Sequence, residues 1–256
     1  MLPAREIEEL LCQVIESKIR SLDQTKVSYK PFYTPLLGTG TLLTHQIVQS
    51  ILTTFGMSVF EKVACLVARD NFDEVISQFK LNKTLSKRAS DKVSNMIDDL
   101  RNKRVAPSAV DEYKVLRNST MSLSDSIERD TVMVDLFLRR GRDLYLIDLK
   151  TVKPNKSGIL DYKRQILEWA AQGFAQFGTK YNIQSAVAMP YNPFHPEPYL
   201  RFNIDKIFDI DGGQLLVGEE FWNFVAGADA FEELVAIFER AGSKVRPKLQ
   251  ELFDHR

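Results

Sequence analysis

The chain has 256 residues, 44% of them hydrophobic and 27% charged, and its 34 Lys and Arg are balanced by 34 Asp and Glu. That composition is globular rather than disordered, and a formal net charge of zero excludes a protein that coats nucleic acid through bulk charge alone. The two cysteines and three widely separated histidines exclude a disulfide framework and a zinc site of ordinary spacing, so the chemistry should rest on carboxylates, lysines or hydroxyls.

In chain order, the first expected element is an amphipathic helix from Pro3 to about Arg20, with Ile7, Leu10, Leu11, Val14 and Ile15 at helical spacing. Its charges are too many for a signal peptide, and no apolar run reaches the roughly 18 residues of a membrane span. A loop with Pro31, Pro35, Gly38 and Gly40 leads to a long helical region from about Thr44 to Arg69. From Lys80 to Arg104 the chain is basic, eight Lys and Arg against three Asp, and Leu81, Leu85, Val93, Met96 and Leu100 suggest helix. The period then changes. TVMVDLFLRR and DLYLIDLKTV, separated around Gly141, read as a β-hairpin. LDYKRQILEWAAQGFAQF reads as a helix and IQSAVAMPY as a buried strand. Two helices close the chain, from about Gly218 to Val225 and from Ala230 to Arg240, with Gly227 and Gly242 as stops. The expected class is α/β, an α+β mixed sheet flanked by helices.

The hairpin carries the chemistry. With its turn centred between Gly141 and Arg142, Asp135 falls opposite Asp148. Strand side chains alternate faces, so Lys150 shares the face of Asp148 while Leu149 points away. A register slip of one residue would separate the acids. Adjacent carboxylates repel unless something neutralises them, and Mg²⁺, which prefers oxygen ligands, does so. A salt-bridged surface would use the same three residues, but the apolar run LYLIDLK argues for burial, and buried charges need a reason.

Asp135, a spacer and then Asp148-Leu149-Lys150 resemble the PD-(D/E)XK nuclease signature, with Val134 in place of the motif's proline and Asp as the second acid. That resemblance implies an αβββαβ restriction-endonuclease-like core with extra helices at both ends. The helix from Leu160 would be its crossover, and a strand within DEYKVLRN the first of its three. FGMSVFEKVA, VDLFLRRGRDLYLIDLKTVKPNK, ILEW and EEFWNFVAGADAFEELVAIFERAG further resemble type II restriction endonucleases of the TdeIII kind, associated with GGNCC-type sites. The resemblance implies one nuclease domain over 1–256. Within it lie a helical segment 1–43, a catalytic core 44–200 with a basic insertion at 80–108, and a helical segment 201–256. It places Asp135, Asp148 and Lys150 in the catalytic centre, the two acids on Mg²⁺, with Glu61 of FEKVA as the candidate helix acid; a solvent-facing Glu61 is the alternative. No nucleotide cofactor is expected, and the expected compartment is a prokaryotic cytoplasm.

Double-stranded DNA is the implied partner, and its phosphates need local basic groups. Lys153 and Lys156 follow the motif; Lys163, Arg164 and Gln165 open the next helix, where Arg and Gln can read base edges. Lys103 and Arg104 belong to the basic insertion. A palindromic site implies a twofold homodimer, and no membrane is involved. The alternatives are a related nuclease acting in repair or on structured nucleic acid, and a non-catalytic DNA-binding module. Trp169 is expected in the core, and His195 as an ordinary loop histidine.

Overall fold

The computed structural model describes residues 1–22, 30–82, 84–120, 126–128, 132–150 and 156–254, the side chains of 22, 57, 156, 157, 201, 202, 252 and 254 excepted. The chain begins with α1 (Ala4–Leu22), α2 (Thr34–Leu37), α3 (Thr39–Thr54), a π-helical turn (Phe55–Val59) and α4 (Phe60–Ala68). Then come β1 (Glu74–Leu81), β2 (Thr84–Ser86), α5 (Lys87–Arg101), α6 (Ala109–Ser119), β3 (Ser126–Glu128), β4 (Val132–Arg140) and β5 (Asp143–Leu149). The remainder is α7 (Lys156–Phe177), β6 (Asn182–Met189), a 3-10 turn (Arg201–Lys206), β7 (Leu215–Val217), α8 (Glu219–Ala226) and α9 (Phe231–Asp254). Two compact units result, one from Met1–Leu66 with Asp229–Arg256, the other from Val67–Ala228. Among the described residues no helix is long and apolar enough to cross a membrane.

In the first unit, α1 buries Ile7 and Leu11 while α9 buries Leu234, Ile237, Ala241 and Val245, each an apolar stripe at helical spacing. Glu8 of α1 pairs with Arg240 and Lys244 of α9, and Glu16 pairs with Lys248. Partner numbers rise together along both helices, so the two run parallel. This packing explains why α9 does not stop at Gly242 as expected but continues through Pro247 to Asp254. Its far end is held by Glu16, and Phe253 packs with Ile19 and Ile51 around Ile47, so tertiary contacts outweigh local propensity.

The second unit is built on a five-stranded sheet of order β1-β4-β5-β6-β7. β4 runs antiparallel to both its neighbours, β1 and β5, whereas β5, β6 and β7 run parallel, with α7 as the β5–β6 crossover. The mixed α/β architecture agrees with the expected class. Gly141, at φ 59°, supplies the left-handed position that a two-residue hairpin turn needs between β4 and β5. These central strands are buried on both faces through Val134, Leu136, Phe137, Leu138, Leu144, Leu146, Ile147 and Leu149. α7 lays Trp169, Ala170 and Phe174 into one cluster with Val134, Phe137, Leu144 and Leu146. Each such large apolar side chain contributes roughly 1.5–3 kcal/mol on burial. Two glutamines fix α7 to the end of β1: Gln176 Oε1 accepts the Asn82 amide at 2.7 Å, and Gln172 Nε2 donates to the Asn82 carbonyl at 3.0 Å.

Two expectations about the sheet are corrected. DEYKVLRN is not a strand but the body of α6, because Ser108 caps it by accepting the Asp111 amide and Leu116 anchors it in the core. The first strand of the core is instead β1, and the basic stretch expected to be helical from Lys80 opens with the end of β1 and with β2 before α5 begins. The three-residue β7 extends the sheet by a strand that no sequence pattern announced.

Candidate active site

The β4–β5 ladder runs from Arg140 opposite Asp143 to Leu136 opposite Ile147. One step further in the same register, Asp135 is level with Asp148. There the backbone ladder ends and side chains take over. The Leu149 amide donates to Asp135 Oδ2 at 2.8 Å, while the Lys150 amide donates across the sheet to the Ala188 carbonyl, also at 2.8 Å. The two central strands therefore fork, with a carboxylate on each prong.

Asp148 is 2% exposed. Its Oδ1 accepts from Lys150 Nζ at 2.9 Å and from Gln165 Nε2 of α7 at 3.3 Å. Its Oδ2 is buried and, among the described residues, has no hydrogen-bond partner. Burial pushes the Asp148 carboxyl up to about 6; the Lys150 ammonium pulls it back down, and the neighbouring Asp135 adds to the rise. Lys150 keeps 27% of its side chain exposed, and its ammonium lies 5.3 Å from the centre of the Tyr162 ring, a cation–π contact. Asp135 is half-buried, and its Oδ1 receives Gln78 Nε2 at 3.5 Å. Gln78 sits level with Asp135 on β1, between the pairs Ser77–Leu136 and Phe79–Val134, with φ 51°, a left-handed backbone that a non-glycine residue rarely adopts within a strand.

The donor set suits a hard divalent cation. Among the described residues it comprises two carboxylates, one with a buried oxygen that lacks a hydrogen-bond partner, against one ammonium. Among the described residues no group of three or more His, Cys, Asp or Glu side chains forms a metal cage. Water and substrate oxygens would fill the remaining positions, as Mg²⁺ prefers.

The other expected residues divide. Glu61 belongs to the first unit, where it is buried in the first turn of α4. Lys153 lies outside the described residues, as does the side chain of Lys156 at the start of α7. Lys103 and Arg104 are exposed beyond the end of α5, Arg104 paired with Asp99 at 3.2 Å. Arg164 is half-buried and donates to Ser94 at 3.3 Å. Lys163 is corrected outright. It is fully buried and its ammonium is taken up by Glu112 at 2.6 Å and by Gln214, so it has no face for a phosphate. Gln165 is corrected too: its amide donates to Asp148 rather than standing free to read a base edge. Tyr162 and Gln78 went unread. Tyr162, Gln165 and Trp169 stand at i, i+3 and i+7 of one helix, and that stripe was the available sign that Gln165 faces the sheet. Nothing in the sequence marks Gln78.

The family model for the type II restriction endonuclease HinfI matches residues 4–242. Among curated proteins the chain is similar to the type II restriction enzyme MjaII of Methanocaldococcus jannaschii, 26% identical over 213 residues, 79% of this chain and 55% of that enzyme. The match thus spans about half of the MjaII enzyme. Two enzymes of Herpetosiphon aurantiacus are similar over more of their own length. HgiCII is 24% identical over 219 residues, covering 83% of this chain and 77% of its own; for HgiEI the figures are 23%, 236 residues, 90% and 83%. No solved structure matches.

Proposed function

Because the chain belongs to the HinfI family of type II restriction endonucleases, we propose that it hydrolyses phosphodiester bonds in double-stranded DNA at a short palindromic site, with Mg²⁺ as cofactor. The observation that carries this reading is the fork, where Asp148 offers a bare buried oxygen beside Asp135 while Lys150 occupies the other. Asp135 and Asp148 are the residues that would hold the metal. Bound there, a divalent cation supplies a water of lowered pKa and positive charge for the phosphate oxygens. Lys150 Nζ is tethered to Asp148 yet partly exposed, so it can donate to the attacking water or to a phosphate oxygen without leaving the site. Glu61 is proposed as the helix acid of the centre. Lys153, Lys156, Lys103 and Arg104 are proposed as phosphate contacts that position the duplex, and Arg164 as a contact to base edges.

The site proposed for recognition is of the GGNCC kind, following the resemblance drawn from sequence. A palindrome has two equivalent scissile bonds, so a homodimer is proposed, acting in a prokaryotic cytoplasm with the whole chain serving one nuclease. Digestion of unmethylated plasmid and phage DNA, with Mg²⁺ and with EDTA, tests the reading. Discrete Mg²⁺-dependent fragments support it, and sequencing of their ends gives the site. A smear, or cleavage only of nicked or branched substrates, overturns it in favour of a structure-selective nuclease.

A further inference from the structure

Each carboxylate of the fork receives one uncharged amide from a flanking element. Gln165 of α7 donates to Asp148 Oδ1, and Gln78 of β1 donates to Asp135 Oδ1. With the Lys150 ammonium already on Asp148, a second cation in either position would hold the carboxylate equally well but would cancel the negative charge that remains to draw a metal. An amide fixes the rotamer and leaves that charge in place. On Asp148 both donors, Lys150 and Gln165, converge on the same oxygen, and the other is left bare. On the β1 side the backbone bears a cost for the same end. Gln78 adopts φ 51° within a strand whose pairing with β4 is regular on both sides, and strained non-glycine positions of this kind gather at functional sites.

We infer that Gln78 and Gln165 are the positioning residues of this site, a neutral bracket that holds Asp135 and Asp148 in the rotamers a divalent cation needs. The inference rests on the metal-site reading above and names residues outside the acid–acid–lysine set. Neither glutamine touches the reacting atoms; each acts through its carboxylate.

Mn²⁺ binding to the full-length protein without DNA, followed by electron paramagnetic resonance, is the deciding measurement, with the thermal midpoint recorded on the same samples. Gln165→Met keeps the side chain's length and removes its donor. It is expected to weaken Mn²⁺ binding about tenfold, the low end of what the partners of metal ligands usually control. Gln78→Gly has a signature that a merely structural residue would not give. Relief of the positive φ raises the thermal midpoint by a few degrees while Mn²⁺ affinity falls. Asp148→Asn separates the two readings. If it abolishes Mn²⁺ binding while Gln165→Met and Gln78→Gly bind like the wild type, the bracket is wrong and the metal site stands. If the wild type binds no Mn²⁺, or Asp148→Asn binds it normally, both fall.

Discussion

α7 bears on two polar clusters of nearly the same composition, and they behave in opposite ways. At Gln165 an ammonium, a carboxylate and a glutamine amide meet on one oxygen, Asp148 Oδ1. Two residues earlier on the helix, Lys163 joins another such trio, in which its ammonium and the Gln214 amide meet on Glu112 Oε2 at 2.6 Å each. The second trio is closed. Gln214 Oε1 also takes the Asp209 amide, and none of the buried side-chain atoms of Lys163, Glu112 or Gln214 lacks a partner. The first is open, with a second acid beside it, a bare oxygen, and a lysine that reaches solvent. The same three side-chain types therefore make a structural staple when every valence is met and a reactive site when one is withheld.

The largest way to break this comparison is Asp148→Asn. Cleavage should fall by about 10³-fold or more, some 4 kcal/mol of transition-state stabilisation, in a plasmid-nicking assay. The metal-free variant should nevertheless be more stable than the wild type at neutral pH. Lys163→Met should do the reverse at the closed trio. Leaving Glu112 buried without its counter-ion should cost about 3–5 kcal/mol in urea unfolding, and Lys163→Met with Glu112→Leu should recover most of it. A double variant no more stable than the single one would show that the trio is not a unit.

A smaller effect follows from the carboxyl of Asp148, which burial raises from 3.8 to about 6. The folded protein prefers this group protonated. Its contribution is therefore complete below pH 3.8 and is lost as pH rises through 6, about 3 kcal/mol in all. The stability gap between metal-free wild type and Asp148→Asn should open across that window and close again when Mg²⁺ is added. The smallest effect is expected at the surface. Lys103→Ala or Arg104→Ala should lower DNA affinity uniformly across sequences and reduce the slope of log affinity against log salt by about 1 each.

The open trio was legible because a hairpin is local. A two-residue turn at Gly141 and two apolar runs are enough to set Asp135 level with Asp148. The closed trio was not legible because its partners are Glu112 and Gln214, each 51 positions from Lys163, and a lysine in the early turns of a helix looks like surface. β1 escaped for a related reason. It is an edge strand with an exposed, broken alternation through EVISQFKL, so no strict two-residue period marks it as a strand. α6 was expected as a strand because the resemblance calls for one ahead of the hairpin, whereas the cap at Ser108, a small hydroxyl three residues before an acid, opens a helix.

Where β4 and β5 part, the Leu149 amide proton is bonded to the Asp135 carboxylate instead of to a strand. That makes one backbone nitrogen a gauge of one acid. In a ¹⁵N-labelled sample its resonance and its rate of exchange with deuterium follow whatever Asp135 is holding, with no probe attached and no turnover required. Titrating cation against that single signal reads the loading of the site in a protein standing idle, and a second titration with DNA present reads how far the substrate itself tightens the fork.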